Sequence, residues 1–325
     1  MIDVSAIIVS WNAKEFLLGC LQSLANERPQ NSMEIIVVDN ASRDGSPELV
    51  KQQFPLVKLI RKKVNLGFAK ANNIGIRQSS GGYICLINSD ITVQKGCIDR
   101  MRAYMDEHPS VGILGPKILN KDLVVQSSSM DFPTLLNSFF QAFGLHRILP
   151  KVRISLEPST DAFSYNSARS VEVLSGCFWM IRRDALNQVG LLDENFFLYL
   201  EDVDWCKRFH EAEWDVVYFP SAEAIHYGQG SSSDSPARYI RELLRSRLIY
   251  WRKHHGRTAQ IVIALVSLLH YTLRLFYCII WYVFKPSSRS KILSNLERNF
   301  TGFRWLVRYL LGFRIQPSGL SQSHS

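Results

Sequence analysis

The first 120 residues alternate short apolar runs with amphipathic stretches, and no other feature constrains the fold as strongly. Val4–Val9 and Ile35–Val38 are rich in Val and Ile and too short for helices, which suits strands buried in a parallel sheet. Between them Phe16, Leu17, Cys20, Leu21 and Leu24 recur at helical spacing and predict one apolar helix face. A third strand is predicted at Val57–Ile60, a helix over Ala69–Gln78 and a buried strand at Tyr83–Asn88. This βαβαβ order predicts an α/β fold with an open, mostly parallel central sheet. Ligands of such sheets bind beyond the carboxyl ends of the strands. The polar tips there are Ser10-Trp11-Asn12, Asp39-Asn40 and Asn88-Ser89-Asp90.

Asp39 stands where a dinucleotide-binding fold would hold a ribose. The turn after the first strand, Ser10-Trp11-Asn12-Ala13, nevertheless has no glycine before Gly19. Close approach of a pyrophosphate needs a G-x-G-x-x-G turn. A nicotinamide-dependent dehydrogenase is therefore excluded.

Beyond residue 120 the pattern changes. Residues 121–170 read as an irregular insertion, with Ser127–Ser129, Pro133, Pro150 and Pro158. Val171–Arg183 predicts a strand pair, Asp204–His210 a helix, and Ser221–Pro236 a loop. The charge is divided unevenly. Residues 1–237 carry 27 acidic and 23 basic side chains, net −4, whereas residues 238–325 carry 2 and 15, net +13. An acidic body, 1–237, and a basic helical region, 238–325, are expected to do different work.

Within the basic region Ile261–Phe284 is 24 residues long, nominally enough to cross a bilayer, with His270 and Arg274 near its middle. Farther on, Phe300, Phe303, Val307 and Leu310 are expected on one helix face, with Arg304 and Arg308 at its edge and Trp305 at headgroup level. Such a basic, aromatic amphipathic helix lies on an anionic membrane surface. The six cysteines form no CxxC or Cys/His cluster, which argues against structural zinc, and Met1–Ser10 reads as a strand rather than a signal peptide. The expected location is the cytoplasmic face of the plasma (inner) membrane, peripheral or inserted by the tail.

Six segments occur in a telling order: IIVSWN (7–12), VVDNASRDGS (37–46), NLGFAKANNIGI (65–76), INSD (87–90), SGCFWMIRRDAL (175–186) and FFLYLEDVDWCKR (196–208). Together they resemble glycosyltransferase family 2, of the GT-A fold, and its rhamnosyltransferase-like bacterial members. The resemblance spans roughly Val4–Ser232 and implies a nucleotide-sugar donor. It assigns Ser10, Asn12, Asp39, Asn65, Gly67, Asn73, Asn88, Asp90 and Gly176 to donor binding, with Asp39 accepting from the base. Asn88-Ser89-Asp90 stands where the family has D-x-D, the motif holding a divalent cation, Mg²⁺ or Mn²⁺, against the diphosphate. The first carboxylate is an amide here, so Asp90 carries most of the charge. His226 matches the histidine that completes the metal shell in relatives. Asp202 matches the general base of an inverting transfer, and Glu201 an acceptor contact. The implied acceptor is lipid-linked or a growing polysaccharide, and the Asn88 variant points to dTDP-rhamnose.

These residues also have ordinary structural readings. Asp39 suits a turn, the acids of 201–204 suit a helix start, and Phe178 and Trp179 suit a core strand. Asp204 and Arg208 are spaced for a surface i,i+4 pair. Two other functions compete: nucleic-acid binding by the basic tail, and a catalytically inactive nucleotide-sugar-binding homologue. No nucleic-acid-binding motif supports the first, and the presence of both Asp90 and Asp202 speaks against the second.

Overall fold

A computed structural model describes residues 2–27, 33–143, 166–228, 236–284 and 289–313. The chain divides into two compact units. The first comprises residues 1–132, 158–197 and 201–231, and the second 133–157, 198–200 and 232–325. The second unit thus draws in part of the insertion as well as the basic region.

The first unit opens with β1 (Val4–Ser10), α1 (Lys14–Asn26), β2 (Met33–Asp39), α2 (Ser46–Gln53), β3 (Lys58–Arg61), α3 (Phe68–Arg77) and β4 (Tyr83–Asn88). The predicted alternation is present throughout. β5 (Ile91–Val93), α4 (Cys97–Glu107), β6 (Val111–Leu119), β7 (Val125–Gln126) and β8 (Ser129–Met130) follow. In chain order α5 (Leu135–Ala142) comes next and belongs to the second unit; the first then continues with β9 (Arg169–Ser170), β10 (Val173–Leu174), β11 (Phe178–Arg182), α6 (Arg183–Val189), α7 (Glu201–Glu211) and β12 (Asp215–His226). The main sheet has the order β3-β2-β1-β4-β11-β6-β12-β5, with β7 beside β6 and β9 beside β12. β1 runs parallel to β2 and β4, β3 to β2, and β12 to β6, whereas β11 is antiparallel to both its neighbours. Leu17, Cys20, Leu21 and Leu24 of α1 are buried, as their spacing predicted, and Phe16 is partly so. All six cysteines are free and buried.

Three local expectations are corrected. Val173–Leu174 and Phe178–Arg182 are both strands but do not pair: β10 joins β8 in a small sheet, while β11 inserts between β4 and β6. Their partners are distant in the chain, beyond the reach of local pattern. The predicted loop from Ser221 is strand as far as His226. Pro220 and Ser221 fall at a register shift between Phe219 and Glu223, where a proline's missing N–H costs no ladder bond. α7 begins at Glu201, three residues before the predicted start.

The second unit contains α5, α8 (Pro236–Phe284) and α9 (Arg289–Leu310). Gly256 interrupts α8 at φ 82°, ψ 179°, a conformation that glycine adopts without penalty. Gln260 Nε2 donates across the break to the Leu248 carbonyl at 3.1 Å. α9 packs on α8 where Gly302 meets the Tyr271 ring, since a Cβ there would lie 2.5 Å from ring carbon. The face of α9 turned inward carries Ile292, Asn299, Gly302, Trp305 and Leu306. Trp305 is therefore a packing residue rather than a headgroup anchor, and Phe300 is the exposed aromatic. Along α8, Ile261, Leu265, Leu269, Leu273, Phe276, Ile280 and Val283 form an exposed apolar stripe at helical spacing. The helix is long and apolar enough to cross a membrane.

Candidate active site

Sheet register gathers most of the predicted site residues at the carboxyl ends of the central strands. Ser10 pairs with Asp39 and Val9 with Asn88. The Asn40 N–H donates to the Ser10 carbonyl at 2.8 Å, tying the first two tips together. Asp39 is buried, accepts from the Ser42 N–H at 3.2 Å, and has its pKa raised by that burial. Among the described residues the buried Ser10 hydroxyl finds no hydrogen-bond partner. An unsatisfied group of this kind costs about 1–3 kcal/mol, which a ligand hydroxyl or phosphate would recover.

Asn40, which the sequence marked only as part of a polar tip, organises the next loop. Its Nδ2 donates to Asn65 Oδ1 at 2.9 Å and to the Gly67 carbonyl at 3.2 Å, while its Oδ1 accepts from the Leu66 N–H at 2.8 Å. Asn65 in turn accepts from the Gly67 N–H at 2.9 Å. The Phe68 N–H donates to the Phe197 carbonyl at 2.8 Å, so this loop holds the segment leading to α7. Asn73 performs a similar task. It is fully buried, with its amide bonded to Leu192 and Glu194. Asn12 lies outside this network, exposed, accepting from the Arg43 N–H at 2.8 Å.

Gly67 is required twice over. Its φ of 82° and ψ of −179° lie in a region almost confined to glycine, and a Cβ would sit 2.3 Å from the Phe197 carbonyl oxygen. Gly67→Ala is expected to cost about 3 kcal/mol through strain and displacement of Phe197. Thermal unfolding would show the loss, and a nucleoside diphosphate should no longer raise Tm. An unchanged Tm would mean that the loop moves freely.

The segment 175–177 bridges the two acidic centres. The Asn88 N–H donates to the Cys177 carbonyl at 2.9 Å, and the Gly176 N–H approaches Asp202 Oδ2 at 3.4 Å. A Cβ on Gly176 would meet Asp202 and Trp179 at 3.5 Å, an ordinary contact, so space alone does not demand glycine here.

At the start of α7 three carboxylates occur within four residues, and their surroundings separate them. Asp204 is fully buried and paired with Arg208 at 3.0 Å, whose guanidinium also donates to the carbonyls of Val189 and Leu191. The predicted surface pair is thus an interior lock. Glu201 is buried, its Oε2 without a partner among the described residues, and burial followed by the Asp202 charge pushes its pKa well above the carboxylate range. Asp202 is only half-buried, and burial raises its pKa too, against hydrogen bonds from Val203 and Gly176. Glu201 is thus held toward its protonated form, and Asp202 is the more open of the two. Tyr199 and Leu200, at φ 70° and 61°, turn the chain into this helix start. Two successive left-handed non-glycine residues store strain, a feature invisible in the letters of the sequence.

Asp90 and His226 meet across β5 and β12. His226 pairs with Ile91, the Tyr227 N–H donates to the Asp90 carbonyl at 3.0 Å, and His226 Nε2 lies 3.4 Å from Asp90 Oδ1. Two ligands at right angles on one cation, each about 2.1 Å away, stand about 3 Å apart. The pair thus fits a divalent cation. Among the described residues no group of three or more His, Cys, Asp or Glu side chains gathers.

Solved structures share this architecture. GalNAc-T7, crystallised with UDP, GalNAc and Mn²⁺, superimposes with a TM-score of 0.56 over 96% of this chain and 57% of its own, at 14% identity. What the two have in common is the fold, that of GT-A glycosyltransferases. The chain belongs to glycosyl transferase family 2, whose family model matches residues 5–190, and it is a glycosyltransferase. Among its relatives is the N-acetylglucosaminyl-diphospho-decaprenol L-rhamnosyltransferase of Mycobacterium tuberculosis, 32% identical over 253 residues, 72% of this chain and 78% of that protein. The dTDP-rhamnosyl transferase RfbF of Shigella flexneri is 24% identical over 287 residues, 83% of this chain and 88% of that protein.

Proposed function

We propose that the enzyme transfers rhamnose from dTDP-rhamnose to a hydroxyl of a lipid-linked or polysaccharide acceptor, with inversion, in cell-surface glycan synthesis. The similarity to the mycobacterial rhamnosyltransferase over most of both chains carries this reading. Asp39, buried at its strand tip, is suited to accept from the pyrimidine N3–H, and the unpartnered Ser10 hydroxyl to bond the nucleoside. Asp202 takes the acceptor hydroxyl's proton as that oxygen attacks the anomeric carbon, and the bond to the nucleoside diphosphate breaks. One displacement inverts the centre, so no second nucleophilic carboxylate is needed. Glu201, protonated, is placed to donate a hydrogen bond to the acceptor. Asp90 and His226 would hold a Mg²⁺ or Mn²⁺, which when bound neutralises charge on the leaving diphosphate.

The second unit, with its apolar stripe and basic flanks, suits attachment to an anionic membrane on its cytoplasmic face, where a lipid-linked acceptor would be met. The decisive experiment gives the full chain in detergent a panel of nucleotide-sugars and a polyprenyl-diphosphate-linked N-acetylglucosamine. Transfer from dTDP-rhamnose is expected, with metal stimulation that Asp90→Ala abolishes while weakening donor binding at least about tenfold. Transfer only from another donor would overturn the rhamnosyl assignment, and full activity in excess EDTA the cation.

A further inference from the structure

The imidazole of His226 is held on both sides. Its Nε2 faces Asp90, and its Nδ1 lies 3.2 Å from Oε1 of Gln126, on the short strand β7. β7 is fixed by pairing with β6, Ile118 opposite Gln126. Gln126 matched no motif in the sequence.

A neutral imidazole has one N–H and one lone pair, so whatever faces Nδ1 decides what Nε2 can do. With the Gln126 carbonyl turned inward, Nδ1 carries the proton and the Nε2 lone pair points toward Asp90 Oδ1. Lone pair and carboxylate then repel unless a cation lies between them. With the amide NH₂ turned inward, Nδ1 accepts and Nε2–H donates to Asp90. Glutamine does both by a half-turn of its amide. Glutamate can only accept, and leucine does neither.

We propose that Gln126 is a positioning residue for the Asp90–His226 pair, its amide setting the imidazole tautomer and its carbonyl-inward orientation presenting Nε2 for cation binding. This rests on the cation reading above. Ligand histidines commonly depend on such a partner, and losing it costs about 10–100-fold in metal affinity.

Two measurements on the full chain in detergent test it. In ¹⁵N-histidine-labelled protein, with His226 assigned by its loss in His226→Gln, long-range ¹H–¹⁵N spectra distinguish the tautomers. Adding Mg²⁺ with dTDP should move wild-type His226 to the Nδ1–H form. Gln126→Glu should hold that form without metal, and Gln126→Leu should lose the preference. A tautomer indifferent to residue 126 overturns the inference whether or not metal binds. Separately, Mn²⁺ titration with dTDP, followed by electron paramagnetic resonance, should show affinity about 10–100-fold weaker in Gln126→Leu and within a few-fold of wild type in Gln126→Glu. Equal affinity in wild type and Gln126→Leu also overturns it. Wild-type protein that binds no Mn²⁺ defeats the cation reading instead and leaves the tautomer measurement to decide on Gln126.

Discussion

Asp202→Asn is expected to lower turnover by about 10²–10⁴-fold, the usual worth of a general base, and to leave donor affinity nearly unchanged. The substitution keeps size and shape, but an amide is far too weak a base to take the acceptor's proton. Its neighbours cannot readily stand in. Asp204 is committed to Arg208 in the interior, and burial holds Glu201 toward its protonated form. Near-normal turnover in the variant would move the base to one of them. Turnover of the wild type should rise with pH along a limb above the ordinary carboxylate range, because burial raises the Asp202 pKa. Stability runs the other way. The folded state keeps a proton on Glu201 that the unfolded chain releases near 4.5, so stability falls as pH rises from there through the folded-state pKa. Glu201→Gln, similar in shape to the protonated acid, should remove that decline.

The α/β half was legible because β1, β2 and β4 are parallel strands with buried apolar runs closed by polar tips, while β3 is a short, half-exposed edge strand marked only by Leu59 and Ile60. The tips gather because hydrogen-bond register aligns their ends, which sequence order alone already implies for βαβ units. What escaped notice depends on contacts between distant segments. Asn40 looked like the neighbour of a more interesting Asp39, yet it is the residue that locks Asn65 and Gly67. Gln126 lies 100 residues from His226. The early start of α7 follows from positive φ at Tyr199 and Leu200, which neither residue type announces. On α9, an apolar row at the expected spacing was present, but packing chose the adjoining face with Gly302, where helices can approach closely.

Neutralising Arg252, Arg257, Lys291 and Arg304 together should weaken binding to anionic vesicles by about 10³-fold at low salt. All four are exposed, and each basic residue near an anionic surface contributes about 1 kcal/mol, so four give about 4 kcal/mol. Glutamine substitutions leave the helix intact, whereas truncation at Gly256 would cut through packed structure bridged by Gln260 and Leu248. High salt should act on the wild type as the substitutions do, because the screening length falls from about 10 Å at 0.1 M to about 3 Å at 1 M. Binding that survives both treatments measures the apolar stripe alone. Placing Asp at Phe276 and Val283, both exposed on that stripe, should then remove it. A full-length protein that stays soluble without detergent and ignores anionic vesicles at low salt would defeat membrane attachment. If it instead sedimented with nucleic acid in a salt-dependent way, the charge of the second unit would belong to phosphates of another kind, because a bare cluster of arginines does not discriminate between them. The apolar stripe is what distinguishes the cases, since a nucleic acid offers its exposed leucines and phenylalanines nothing comparable to the acyl boundary of a bilayer.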